Sequence, residues 1–107
     1  MTYKNFFSNE NITIKTAINL INKNGKKCLI ICDSKKKLKG ILSDGDIRKS
    51  ILKGAQITDK IKKIYNKNPI TISEENISYK KLLNLFKVNF IDAIPVIDDN
   101  KIIKKIF

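Results

Sequence analysis

Gly40-Ile41-Leu42-Ser43-Asp44-Gly45-Asp46-Ile47-Arg48 runs from an apolar strand straight into the start of a helix. Such a junction gathers unpaired backbone N–H groups and the positive end of the helix dipole at one spot, which favours an anion. Gly45 lets a ligand approach the backbone closely. Ser43 offers a hydroxyl to a phosphate oxygen, and Arg48 offers a charged fork. Asp46 is a poor neighbour for phosphate but a good acceptor for two ribose hydroxyls. The same residues also have a purely structural use. Ser43-x-x-Asp46 resembles a capping box, and Asp44 and Asp46 in a first turn stabilise a helix by about 0.3–1 kcal/mol each. On these residues alone, capping and ligand binding stand level.

Working outward, the helix is expected over Asp44 to Lys53, closed by Gly54. Upstream, strands are expected over Lys27–Cys32 and Leu38–Leu42, joined by the polar turn Asp33-Ser34-Lys35-Lys36. Before them, Thr13 is placed to cap a helix whose Ile14, Ala17, Ile18 and Ile21 recur at i, i+3, i+4 and i+7. A short extended segment, Asn5-Phe6-Phe7, leads the unit.

The unit then repeats. Shifted by 65 positions, residues 4–42 fall on residues 69–107 without a gap. Ser8-Asn9-Glu10-Asn11-Ile12 lies over Ser73-Glu74-Glu75-Asn76-Ile77, and Leu29-Ile30-Ile31-Cys32-Asp33 over Ile94-Pro95-Val96-Ile97-Asp98. The second copy opens on Ile70-Thr71-Ile72 and has Ser78 as its helix cap, with Tyr79, Leu82, Leu83 and Phe86 on one face. Its strands are expected over Ala93–Ile97 and Lys101–Ile106 around Asp98-Asp99-Asn100. Between the copies, Ile57, Ile61, Ile64 and Tyr65 suggest a short linking helix that stops before Pro69. Neither copy can bury its helix face alone, so the two are expected to pack together.

Composition narrows the function. At 107 residues there is room for one compact domain, and no apolar run is long enough to span a bilayer. Met1 to Asn5 lacks the layout of a secretory signal, so a cytoplasmic location is expected. With no His, a zinc site or a His-based dyad has almost nothing to be built from. Cys28 and Cys32 lie four apart on one strand, roughly 13 Å from each other, and read as buried free thiols. The net charge of +12 comes almost wholly from scattered Lys, with Arg48 the sole arginine. Base reading favours Arg and clustered aromatics, so the composition argues against nucleic acid as partner.

The β-α-β-β-α plan, occurring twice, resembles the CBS domain pair, also called a Bateman module. Gly40 to Arg48 is similar to that family's pattern at its strand-to-helix junction. Asn68-Pro69-Ile70-Thr71-Ile72 resembles the leading strand of a second motif, and Ile94-Pro95-Val96-Ile97-Asp98 its central strand and turn. The resemblance implies an α/β (α+β) chain of tandem CBS motifs, with motif 1 over about 4–54, a linker over about 55–67, and motif 2 over about 68–107. It implies a regulatory ligand of the AMP, ADP or ATP kind, with Ser43 near phosphate and Asp46 on ribose. Asp44 and Arg48 adjoin them, and Ile70, Thr71, Ala93, Ile94 and Pro95 would line the base pocket. Ile70, Ile94 and Pro95 are equally well explained as core.

Two departures matter. Lys105 stands where the first copy has Gly40, and the second copy has no Ser/Thr-x-x-Asp and no final helix. At most one of the pair's two usual sites is therefore expected to be complete, and the apolar surface left bare needs a cover. Ser43 to Arg48 is most similar to the N-terminal pair of bacterial sugar-phosphate nucleotidyltransferases and to the C-terminal pair of sugar-phosphate isomerases. The start at Met1 favours the first, with a C-terminal catalytic domain attached and no activity in this chain itself. A homodimer through the pairs is expected by analogy. A ligand-free dimerisation module and, behind it, a small basic nucleic-acid-binding protein are the alternatives outside this reading.

Overall fold

The structure, a computed structural model, describes residues 5–89 and 91–107. Most of the leader segment considered above, residues 1–4, lies outside them. The fold is mixed α+β, and the described residues form two three-stranded sheets and three α-helices. The first copy holds β1 (Phe7–Ser8), α1 (Ile14–Asn24), β2 (Cys28–Cys32), β3 (Leu38–Ser43) and α2 (Asp44–Leu52). The second holds β4 (Ile72–Ser73), α3 (Tyr79–Asn89), β5 (Pro95–Ile97) and β6 (Ile103–Ile106). In each sheet the first strand runs parallel to the second, which pairs antiparallel with the third.

The repeat read from the sequence is a repeat of hydrogen bonds. Ile30 faces Ile41 as Pro95 faces Ile106, and the bulge between Ile31 and Cys32 recurs between Val96 and Ile97. The Asp33 carboxylate accepts from the N–H groups of Lys35 and Lys37; Asp98 accepts from those of Asn100 and Ile102. Lys36 and Lys101 close the two turns at φ of 62° and 64°. The turns also join each other: Leu38 N–H donates to the Lys101 carbonyl at 2.9 Å, and Ile103 N–H to the Lys36 carbonyl at 3.0 Å. Shifting either bond by the repeat length gives the other, so the copies meet about an approximate twofold.

These turns give the fold an acid limit. Asp33 and Asp98 both titrate below the ordinary carboxylate value, chiefly because turn N–H groups, of Lys37 and of Ile102, bond their charged forms. A depressed folded pKa means the stabilisation is complete above the unfolded value near 3.8 and is lost as pH falls through the folded one. In the double variant Asp33→Asn, Asp98→Asn, which keeps an acceptor at each turn, stability should fall less steeply below about pH 4. Urea midpoints measured between pH 3 and pH 6 check this; an unchanged slope would contradict it.

β2 is buried on both faces, as a short apolar run of this kind demands. Its alternate residues serve two cores. Leu29 and Ile31 pack with Ile14, Ala17, Ile21, Leu42 and Ile47. Cys28, Ile30 and Cys32 pack with Phe6 and with Ala93, Ile103 and Ile106 of the second copy. This second core seals the copies together. Both cysteines are buried free thiols.

Several expectations need correction. Ile18 is 39% exposed and Leu83, its counterpart, 52%, while Tyr79 is 78% exposed. The buried stripe of α1 is the narrower set Ile14, Ala17 and Ile21, and on α3 Leu82 is buried. The segment leading to Pro69 is not a linking helix beyond one 3₁₀ turn, Ile61–Lys63. Its backbone groups bond the first copy instead: Ile14 N–H to the Asp59 carbonyl, Ile61 N–H to the Ile12 carbonyl, and Ile41 with Asn66 in both directions. Tertiary bonds override the local period here, and Ile57 of the expected helix face stays 48% exposed. β1 starts later than expected because Asn5 sits at φ 62°, off the extended region.

The caps follow the sequence. Thr13 Oγ1 accepts from Thr16 N–H, Ser78 Oγ from Lys81 N–H, and Gly25 ends α1 at φ 66°. α2 stops at Leu52 with Gly54 just beyond at φ 106°.

Candidate functional site

The end of β3 fixes the site. Ser43 leaves the strand with extended backbone and caps α2, its Oγ accepting from Asp46 N–H at 3.0 Å. The Asp46 carboxylate reaches back and accepts from Ser43 N–H at 3.1 Å. This reciprocal cap holds both side chains in one geometry. The Ser43 hydroxyl proton is left to donate outward.

The linker builds the facing wall. It crosses β3 at Gly40, where an added Cβ would meet the Asn66 carbonyl oxygen and lie 2.6 Å from Tyr65 Cδ2. Only a glycine admits so close a crossing. Tyr65 anchors it, its hydroxyl donating to Glu10 Oε2 at 2.8 Å. Burial, then the bond to Glu10, pushes the Tyr65 hydroxyl up to about 12, and that bond in turn lowers Glu10. Lys105, the counterpart of Gly40, lies with Nζ 4.7 Å from the centroid of the Phe107 ring.

Between junction and linker lies a cleft of about 240 Å³. The first copy contributes Cys28, Ile41, Ser43 and Asp46; the linker and second copy contribute Asn66, Pro69, Ile70, Ile91, Asp92 and Ala93. Of the residues singled out from sequence, the cleft brings together Ser43, Asp46, Ile70 and Ala93. Asp44 and Arg48 do not line it; they pair at 3.0 Å one helical turn apart on an exposed face. Arg48 therefore does not reach back across the junction. Thr71 is half-buried outside the lining, and Ile94 and Pro95 are fully buried in the second copy.

Cys28, Ile41, Asn66, Pro69, Ile91 and Asp92 were not among the sequence candidates. For Cys28 the signal was present, since alternation along β2 puts it on the face toward the second copy. Asn66 and Asp92 had none, because the linker path and the approach of the copies decide where they sit. Burial, then the Asp92 carboxylate, pushes the Cys28 thiol up to about 12, so it stays protonated and is a poor nucleophile. Cys28, Ile41, Ile70 and Ala93 make an apolar floor with Ser43, Asp46, Asn66 and Asp92 as polar points. Such a surface is suited to holding a flat polar ring and its hydroxyls.

Two like units about an approximate twofold, with a cleft where they meet, define a tandem-repeat module. The chain belongs to the CBS domain family, whose sequence model matches residues 1–53 and 61–106. It is similar to the CBS domain pair of protein MJ0100 in complex with 5′-methylthioadenosine and S-adenosyl-L-methionine. The identity is 27%, with 95% of this chain and 79% of that one covered and a TM-score of 0.78. It is 36% identical to the uncharacterized protein RP505 of Rickettsia prowazekii over 88% of this chain, and 29% identical to the arabinose 5-phosphate isomerase GutQ of Salmonella typhi over 75%. The chain spans only 29% and 25% of the length of those two relatives. A CBS pair is regulatory and not itself catalytic. Among the described residues no helix is long and apolar enough to cross a membrane.

Proposed function

We propose that this chain is a regulatory module that binds an adenosine-type ligand in the cleft between its two copies. The observation that carries this is the cleft itself, with Ser43 and Asp46 held at its mouth by their mutual cap. Asp46 accepts the two ribose hydroxyls, Ser43 donates to the ligand, and Ile70 and Ala93 flank the base. Ligand binding favours one arrangement of the copies, and an attached domain responds to it. The complex of the MJ0100 pair with two adenosine compounds supports the ligand class.

The attached domain is an enzyme acting on sugar phosphates. The likeness of Ser43 to Arg48 to the nucleotidyltransferase pairs supports one such enzyme, and the match to GutQ supports an isomerase equally. Reading the gene on both sides of this chain separates them. A side-by-side homodimer of pairs in the cytoplasm completes the proposal, with motifs over about 4–54 and 68–107. Calorimetric titration with adenosine, 5′-methylthioadenosine, S-adenosylmethionine, AMP, ADP and ATP tests the ligand. Saturable binding of at least one is expected; no heat from any, with a stable dimer in sedimentation, would leave a dimerisation module instead.

A further inference from the structure

We propose that the cleft selects adenosine compounds that carry no phosphate, with a neutral or cationic group at the 5′ position, over AMP, ADP and ATP. This rests on the adenosine reading above and sharpens it by charge. The charged side chains in the lining are Asp46 and Asp92, and among the described residues no Lys or Arg joins them.

Three cations in the surrounding segments, Arg48, Lys67 and Lys39, are engaged elsewhere. Arg48 pairs with Asp44 on the outer face of α2. Lys67 donates to the Lys62 carbonyl at 2.8 Å and lies over the Tyr65 ring. Lys39 pairs with Glu10 at 3.6 Å. The junction's N–H groups are also largely spent: Ser43 N–H on Asp46, Asp44 N–H on the Lys27 carbonyl at 2.9 Å, and Asp46 N–H on Ser43 Oγ. The Asp46 carboxylate thus takes the Ser43 N–H, one of the groups that would otherwise be free to hold a phosphate.

The net charge of +12 does not reverse this. Charges farther than about 8 Å are largely screened at physiological ionic strength, whereas Asp46 and Asp92 border the ligand. A carboxylate about 4 Å from a single phosphate charge disfavours it by about fivefold in water, and favours a sulfonium to the same degree.

Calorimetry at physiological ionic strength should find 5′-methylthioadenosine and S-adenosylmethionine bound at least about tenfold more tightly than AMP. Asp92→Asn, on an exposed residue, should narrow that gap about fivefold by strengthening AMP, with the thermal midpoint unchanged. AMP or ATP binding as tightly as the thioether, or a gap that Asp92→Asn leaves unaltered, would overturn the charge inference while the adenosine reading stood. Failure of every adenosine compound to bind would remove both.

Discussion

Gly40→Ala should lower the unfolding free energy by about 2–3 kcal/mol, the upper part of the roughly 1–3 kcal/mol that forcing an atom into packed surroundings costs. The new Cβ has no flexible neighbour to push aside, because it meets the Asn66 carbonyl and the Tyr65 ring, which is pinned through its hydroxyl to Glu10. Relief requires lifting the linker off β3. That lift breaks the paired bonds between Ile41 and Asn66 and displaces Pro69 and Ile70 from the cleft wall. Stability and ligand affinity should therefore fall together. Gly45→Ala is the contrast, since its nearest neighbour, Ser43 Oγ, is 3.7 Å away and the site is helical. It should be neutral or gain up to about 1 kcal/mol. Urea unfolding of the two variants checks both signs, and equal losses would contradict the account of the crossing.

Asp46→Ala should weaken adenosine-ligand binding by about 10- to 100-fold, as expected when hydrogen bonds to a charged acceptor are lost. It should also cost about 1 kcal/mol of stability, because the cap disappears with it. Asp44→Ala separates the two effects. Asp44 shares the first turn of α2 and pairs with Arg48, but lies outside the cleft. Its loss should reduce stability by a few tenths of a kcal/mol and leave binding unchanged. Asp46→Ala that alters only stability would reduce the junction to a helix cap.

The fold was legible because its signals are local and doubled. The caps at Thr13, Ser43 and Ser78, the Asp33 and Asp98 turns, and the buried run Cys28–Cys32 each carry their own physics, and the repeat ties them together. The linker was misread because its apolar spacing suits a helix, while its backbone groups gain more by bonding Ile12, Ile14 and Ile41. Of the cleft lining, Ser43, Asp46, Ile70 and Ala93 were legible in the sequence. Ser43 and Asp46 announce themselves at a strand-to-helix junction, whereas Asn66 and Asp92 reach the cleft through tertiary packing that no periodicity encodes. Arg48 is placed by its own helix: it pairs with Asp44 one turn away, outside the cleft lining.

The most direct test is a two-dimensional ¹H–¹⁵N titration of the chain with 5′-methylthioadenosine. Amide shifts should concentrate at Cys28, from Ile41 to Ile47, at Asn66 and Ile70, and from Ile91 to Ala93, and saturate together. Shifts gathered instead on the outer face of α3, around Tyr79 and Leu83, or none at saturating ligand, would contradict a binding site between the copies.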